Sequence, residues 1–289
     1  MGRKKLLAIV GLMLALLILS ASSILGVVDL PRFLFSTAPA QVGASSSTVF
    51  FDPDMIVKDY VTDPGYQVGD AFNLYVNISA VTDLFAWQVN ITWNPAILNI
   101  TRIVSYGDFL ARTASPDGTS RIYDIMAASN ETGYAAIAES ILGDYSGITG
   151  NGQLVIVEFE IVGYGWTDLT VGVSGTLPST LLDSVGASIT FDRVLVPIFP
   201  SDGYFRNVIP GDMTDNTPGV LPDNPDGDVD GFDLGAFADA YGTSFGQPKY
   251  NHLGDLTDDT PGVPPDLPDG DIDGFDLGVF ADNYGRSLP

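Results

Sequence analysis

Residues 71–94 read AFNLYVNISAVTDLFAWQVNITWN, and apolar residues alternate with other residues over two runs. The apolar positions are Phe72, Leu74, Val76 and Ile78, then Phe85, Trp87, Val89, Ile91 and Trp93. A period of two with one apolar face is typical of half-buried β-strands. The pattern returns at Val155, Val157, Phe159 and Ile161. Gly, Pro, Asp and Asn separate such runs at short intervals, so residues 47–208 are predicted to form an all-β sandwich.

The charge of the chain is strongly acidic and unevenly spread. It carries 36 acidic and 12 basic residues, a formal net charge of −24, and no cysteine. Seventeen of the acids, all Asp, follow Pro210. A surface of this sign repels phosphate, so no nucleic-acid partner is expected, whereas divalent cations are natural counterparts. The lack of cysteine excludes disulfides and thiolate chemistry.

The amino terminus has the pattern of an export signal. Basic residues at 3–5 precede an apolar run that extends to Val28. Residues 1–28 are therefore predicted to be either a cleaved signal peptide or a retained membrane anchor. A linker rich in small residues and Pro, 29–46, would follow. On both alternatives the rest of the chain is expected to be extracellular or at the cell surface, with membrane contact only through this segment.

A 32-residue unit occurs twice in the C-terminal part, residues 209–289. Residues 211–242 and 254–285 are identical at 25 positions. Each copy contains PDGD, an apolar residue and DGFDLG, and each is predicted to continue as a short helix. The predicted apolar stripe is Leu234, Phe237, Ala238 and Tyr241, repeated at Leu277, Phe280, Ala281 and Tyr284. Gly242 and Gly285 stand where a left-handed C-cap belongs.

The alternating carboxylates of this unit point to calcium. Calcium takes six to eight oxygen ligands, and a tight loop supplies them from every second residue. The candidates are Asp226, Asp228, Asp230 and Asp233, then Asp269, Asp271, Asp273 and Asp276. Asp228 or Asp271 could offer only its backbone carbonyl. A solvated acidic linker would not keep glycine, apolar and cap positions in register across two copies, so two calcium ions are predicted, one per repeat.

Here the sequence resembles the dockerin module, a pair of calcium loop–helix units. The resemblance rests on Gly211-Asp212, on 226–230 and on Asp233-Leu234, with their counterparts in the second copy. It implies the ligand sets Asp212, Thr214, Asp226, Asp230 and Asp233, then Asp255, Thr257, Asp269, Asp273 and Asp276. About ten extra residues split each loop after its third position, which is Thr214 in the first copy and Thr257 in the second. Asp215 or Asp258 could therefore replace Thr214 or Thr257.

The β domain is similar to cohesins, jelly-roll sandwiches that bind dockerins. The motifs that carry this resemblance are VGD at 68–70, VTDLFAWQ at 81–88, TWNPAIL at 92–98 and GYG at 163–165. The resemblance implies a jelly-roll fold, shared with some carbohydrate-binding modules. With the C-terminal unit it implies a surface protein of the bacterial or archaeal type.

Four glycosylation sequons fall in the β domain, at Asn77, Asn90, Asn99 and Asn130. Asn77 and Asn90 are expected on the polar side of their strands. Aromatic residues could also form a glycan surface. For that role Trp166 and an outward Tyr75 are better candidates than Trp87 and Trp93, which are expected in the core.

No catalytic activity is expected. His252 stands in the connector between the repeats without a catalytic partner placed by sequence. Glu158 and Glu160 are more simply explained as a solvated strand face than as a glycosidase pair.

The sequence thus predicts a non-catalytic extracellular adaptor. Its partners would be cohesin- or dockerin-bearing proteins, bound in the presence of calcium. Copies of the chain itself could also bind one another head to tail. The alternative is a carbohydrate-binding or structural cell-surface protein, attached through its dockerin-like tail, with polysaccharide as its partner.

Overall fold

The computed structural model describes residues 46–111, 122–143, 145–172, 178–196, 201–215, 225–258 and 267–288. The predicted export segment and nearly all of the linker lie outside these ranges. Within the described ranges, no helix has both the length and the apolar character needed to span a bilayer.

The described part of the chain is mainly β, as the sequence predicts. Its strands are β1 Ser47–Asp52, β2 Met55–Asp59, β3 Ala71–Thr92, β4 Leu98–Tyr106, β5 Ile122–Ser129, β6 Tyr134–Ile141, β7 Ile148–Ile161, β8 Gly165–Val171, β9 Thr180–Asp183, β10 Ser188–Ile189, β11 Phe191–Arg193 and β12 Gly203–Val208. Its helices are α1 Asp108–Ala111, α2 Gly231–Ala240 and α3 Gly274–Asn283.

The opening sequence forms one bent strand, β3, rather than two separate strands. Ala80 and Asp83 have positive φ angles of 54° and 57°, and the pairing register with β7 shifts there. The Asp83 carboxylate stabilises the bend, since it accepts the backbone N–H groups of Gly147 and Ser184. The bend allows one strand to serve two layers.

The two halves of β3 organise the sandwich. The first half pairs with β1 and β7, which in turn pair with β11 and β4. The second half pairs with β6 and β9, which pair with β5 and β10. The end of β3 also pairs with β8, from which the sheet continues to β12 and β2. The large apolar core of the sandwich, which includes the predicted Trp87 and Trp93, lies between the layers.

The second half of β3 is buried on both faces, which corrects the predicted half-buried strand. Gln88 and Asn90, expected on a polar outer face, are 4% and 1% exposed. The Gln88 amide donates to the Asn90 side chain, so the buried polar groups bond to each other. A glycan on Asn90 is incompatible with this burial.

The C-terminal tail, defined here as residues 209–288, packs around its own apolar core. The rings of Phe237 and Phe280, one from each repeat, lie 5.0 Å apart at its centre. The remaining members are Ile209, Met213, Val229, Ala240, Leu253, Leu256 and Ile272.

Each repeat pairs with the other repeat rather than with itself. The Val229 N–H in the first loop donates to the carbonyl of Arg286 (2.9 Å), just after α3, and Val229 accepts from Gly285 (2.8 Å). Ile272 in the second loop makes the same two bonds with Gly242 and Thr243, just after α2. The duplication is therefore structural, because each loop needs the segment behind the other helix to satisfy its backbone.

The predicted helix stripe is only partly correct. The buried residues of α2 are Asp233, Phe237 and Ala240, whereas Leu234 and Tyr241 are exposed. In α3 they are Asp276, Phe280 and Asn283, with Leu277 and Tyr284 exposed. The physical reason is that Asp233 and Asp276 must turn inward to reach backbone groups of their loops.

Candidate metal centre

Asp212 lies at the start of the first loop and is fully buried. Its Oδ1 accepts the N–H of Asp226 (3.1 Å) and its Oδ2 the N–H of Gly227 (2.7 Å). Oδ2 also accepts the hydroxyl of Tyr164, in the β7–β8 turn, at 2.5 Å. These bonds hold together the two sides of the loop across the inserted segment 216–224.

Asp233 closes the other end of the same loop. Its Oδ1 accepts the N–H groups of Met213 (2.8 Å) and Thr214 (3.0 Å). Its Oδ2 accepts the N–H of Asp230 (2.7 Å), whose own carboxylate caps the first turn of α2 by accepting from Phe232. This reciprocal capping box ties the helix start to the loop start.

The second loop has the same geometry. Asp255 accepts from Asp269 (3.1 Å), from Gly270 (2.8 Å) and from the Tyr250 hydroxyl (2.6 Å). Asp276 accepts from Leu256 (2.7 Å), Thr257 (3.1 Å) and Asp273 (2.7 Å).

The other predicted ligands lie at the rims of the loops. Asp226, Asp228, Asp269 and Asp271 are exposed, and Asp230 and Asp273 are half-buried. Thr214 is half-buried and Thr257 is buried, each anchored through its backbone N–H. Within the described ranges, no three Asp, Glu or His side chains converge as a preformed metal cage.

The donor chemistry nevertheless fits calcium. The described parts of the first loop, 211–215 and 225–233, carry six aspartates and no Lys or Arg; the second loop repeats this. An ionised carboxylate offers about four lone-pair positions, of which Asp212 and Asp233 each use three. One position therefore remains on each of these two buried carboxylates. Oxygen-only, acidic donor sets of this kind suit calcium better than zinc or copper.

The electrostatics of both loops favour a bound cation. Burial raises the pKa of Asp212 to about 7, and the negative charge of Asp233 adds to the effect. Burial likewise raises the pKa of Asp255 to about 7, with Asp276 as its charged neighbour. The pKa values of Asp226, Asp233 and Asp276 are also raised, first by burial. A divalent cation would remove this penalty by neutralising the charge.

The tail is joined to the sandwich by contacts that the sequence analysis missed. Besides Tyr164, buried Arg206 of β12 donates to the carbonyls of His252 (3.0 Å) and Asp255 (3.4 Å). Arg286, after α3, makes a two-pronged ion pair with Asp59 at the end of β2. No local pattern marks these residues, since each acts across a long stretch of sequence.

The residues considered above for catalysis or glycan binding make contacts within the fold. His252 is largely buried with its ring 4.4 Å from that of Trp166, and burial lowers its pKa to about 3. Glu158 bonds to Arg102 and Thr101, which lower its pKa to about 2. Trp166 also stacks on Tyr204.

The glycosylation candidates differ in their surroundings. Asn77 and Asn99 are half-buried, whereas Asn90 is excluded by burial. Asn130 is exposed, but its amide donates to the Ile100 carbonyl and its Oδ1 accepts the Ile100 N–H.

No protein-family model matches the chain, and no curated protein matches it. Solved structures with partial similarity to it include cohesin modules. The second type II cohesin module of an adaptor scaffoldin from Acetivibrio cellulolyticus is 18% identical, with a TM-score of 0.40 over 54% of this chain and 95% of that module. The same module with its long C-terminal linker gives 18% identity and a TM-score of 0.44, over 63% and 99%.

A non-cellulosomal cohesin from the hyperthermophilic archaeon Archaeoglobus fulgidus is 15% identical, with a TM-score of 0.38 over 57% of this chain and 92% of that one. The chain is thus similar to these cohesin modules over part of its length. At these scores nothing about partners or activity follows. The dockerin resemblance of the tail stays a prediction.

Proposed function

We propose that this chain is a non-catalytic extracellular adaptor that binds partner proteins in a calcium-dependent way. In this proposal each loop of the tail holds one calcium ion, through Asp212, Asp226, Asp230 and Asp233 and their counterparts in the second repeat. The ion would supply the positive charge that the acidic loops lack. The sandwich and the tail would each bind a partner, of dockerin and cohesin type respectively.

The observation that carries the proposal is a set of exposed apolar residues that recurs at equivalent positions in both repeats of the tail. These residues, together called the helix face, are Phe232, Leu234, Tyr241, Phe275, Leu277 and Tyr284. All six side chains are between 41% and 52% exposed, although the tail core lies directly behind them. A Cβ atom placed on Gly231 would lie 3.9 Å from the hydroxyl oxygen of Tyr284. A Cβ atom placed on Gly274 would lie 3.8 Å from the hydroxyl oxygen of Tyr241. Each helix start is thus flanked by a tyrosine of the other repeat.

The position of the helix face leaves it open to a second molecule. The joint to the sandwich uses the loop starts and the end of the tail, through Tyr164, Arg206 and Arg286, and none of the six helix-face residues. Exposed aromatic and aliphatic side chains that recur at equivalent positions of two helices are candidates for an interaction site. A sandwich of the kind this chain carries is the proposed occupant, and a copy-to-copy contact would be head to tail.

We expect the double substitution Phe232→Ala and Phe275→Ala to weaken calcium-dependent association at least about tenfold, because exposed aromatic anchors commonly contribute more than about 1 kcal/mol each to an interface. Folding should be unchanged, since both rings are exposed. The measurement is the mass of the full chain by light scattering, with calcium and then with chelator, together with binding to isolated cohesin and dockerin modules. Val185→Ala, at an exposed turn of the sandwich, is the matched control.

A monomer in both conditions would exclude self-assembly and leave foreign partners. A calcium-loaded chain that neither self-associates nor binds either kind of module would contradict the adaptor proposal.

The carbohydrate-binding alternative has one feature in its favour. A cleft of about 470 Å³ beside the joint is lined by Trp93, Asn94, Trp166, Asp168 and Thr170, among others. It combines aromatic and polar side chains, as sugar sites do. Retention of the full chain on insoluble polysaccharide, lost in Trp166→Ala, would support this alternative.

A further inference from the structure

The two loops are nearly identical in sequence, yet the tyrosine that donates a hydrogen bond to the first aspartate of the loop comes from a different part of the chain in each. Tyr250 precedes Asp255 by five residues and donates its hydroxyl to Oδ2 of that carboxylate. The residue five positions before Asp212 is Asn207, and it does not make this bond. The hydroxyl that reaches Asp212 belongs to Tyr164, which precedes the tail by more than forty residues and lies in the sandwich.

Asn207 makes different hydrogen bonds, and these explain why the tyrosine that bonds to Asp212 comes from another part of the chain. It is fully buried in β12, where its Oδ1 accepts the N–H of Gly165 (3.1 Å). Its Nδ2 donates to the carbonyls of Gly163 (3.3 Å) and Tyr66 (3.2 Å). Gly163 and Gly165 are the two neighbours of Tyr164. The side chain at the position equivalent to Tyr250 therefore holds the turn that presents the substitute tyrosine.

The Tyr164 side chain is fixed by further contacts on both sides of the joint. Its oxygen accepts the N–H of Ile209, the first residue of the tail, at 2.8 Å. Its ring packs edge-on against Tyr60, with centroids 5.2 Å apart. One hydroxyl thus donates to the first loop and accepts from the segment that enters it, while the ring stays in the sandwich.

We propose that Tyr164 is a positioning residue for calcium in the first loop, so that this site is completed by the sandwich while the second is completed within the tail by Tyr250. This inference rests on the proposed calcium function. A hydrogen bond to one carboxylate oxygen fixes the orientation of the carboxylate toward the ion, and loss of such a partner typically weakens metal binding about 10- to 100-fold. Calcium binding by the first loop of the tail then depends on the sandwich, so the isolated tail would lack one complete site.

The test is calorimetric titration of the calcium-free full chain with Ca²⁺ alone. We expect two ions for the wild type. Tyr164→Phe and Tyr250→Phe should each weaken one ion about 10- to 100-fold and leave the other unchanged. In the double variant both ions should bind weakly, because the two tyrosines serve different loops. Tyr75→Phe, on the first half of β3, is the control and should bind both ions as the wild type does.

A second readout separates positioning from simple structural support. Thermal unfolding in chelator and in calcium gives the gain in stability that the ions provide, which depends on their affinity. If Tyr164 positions the calcium ligands, Tyr164→Phe should reduce this gain in stability. If the Tyr164 bond only supports the fold, the substitution should lower the unfolding temperatures in chelator and in calcium equally.

The outcomes distinguish the inference from the function it rests on. If the wild type binds no calcium, the proposed calcium function itself fails. If the wild type binds two ions and Tyr164→Phe binds both with unchanged affinity, the assignment of Tyr164 is overturned while the calcium proposal stands. A double variant that keeps one ion at full affinity would mean that both tyrosines act on one site, which also overturns it.

Discussion

Replacing Asp233 and Asp276 together by Ala is expected to unfold the tail while the sandwich stays folded. Each carboxylate accepts three backbone N–H groups, those of Met213, Thr214 and Asp230 in the first repeat. A buried donor left without a partner costs about 1–3 kcal/mol, so each substitution should remove roughly 3 kcal/mol or more. The tail is a small module that depends on such fixed points and, in our proposal, on calcium.

Hydrogen exchange of the backbone amides in α2 and α3 is the appropriate measurement, with and without calcium. The matched control is Asp239→Ala with Asp282→Ala, which removes the same charge from exposed positions of the same helices. Protection in the Asp233 and Asp276 variant equal to that in the control would show that these carboxylates do not hold the loops.

Calcium binding is expected to release protons and to weaken as the pH falls below about 7. Burial raises the pKa values of Asp212 and Asp255 to about 7 in the calcium-free chain. A raised pKa means that the protonated form is favoured below that pH, whereas calcium requires the carboxylate. Each ion should therefore displace about one proton at pH 6 and almost none at pH 8.5, and affinity should fall by roughly tenfold per pH unit below 7.

Titration with Ca²⁺ in buffers of different ionisation enthalpy measures the released protons directly. His252 also has a shifted pKa, lowered to about 3, so it stays neutral over this pH range and contributes no protons. The wild type at pH 8.5 is the internal control. Heats at pH 6 that do not depend on the buffer would contradict the expected protonation of Asp212 and Asp255.

Much of the local structure could be predicted from sequence because it depends on neighbours along the chain. The alternation in residues 71–94 and 154–161 places residues on opposite faces of a strand, and burial of Trp87, Trp93 and Phe159 followed. The glycines of the loops and of the helix ends were also readable. Gly227 has the positive φ of 97° that the tight loop requires, and Gly242 and Gly285, predicted at the C-terminal caps, have positive φ angles of 77° and 84°.

Burial of a face, in contrast, depends on what the rest of the chain places against it. Gln88 and Asn90 alternate like outward residues but are covered in the folded chain. Leu234 and Tyr241 have the hydrophobicity of core residues, yet Asp233 takes the inward direction because its carboxylate must satisfy loop N–H groups. The hydrogen bonds of Asp233 can form in only one direction, and leaving buried N–H groups without a partner is costly. These bonds therefore decide which residue of the helix turns inward, at the expense of burying Leu234 and Tyr241.

The sequence by itself determined that the chain contains a β domain and two equivalent acidic loop–helix units, because strand period, glycine position and capping are local properties. Only the tertiary structure decided that each loop pairs with the other repeat and that the two loops are not equivalent. The hydroxyl on Asp255 comes from five residues away, whereas the one on Asp212 comes from Tyr164 of the sandwich. That difference arises because a hydrogen bond depends on distance in space, and the pairing of β8 with β12 brings Tyr164 to the tail.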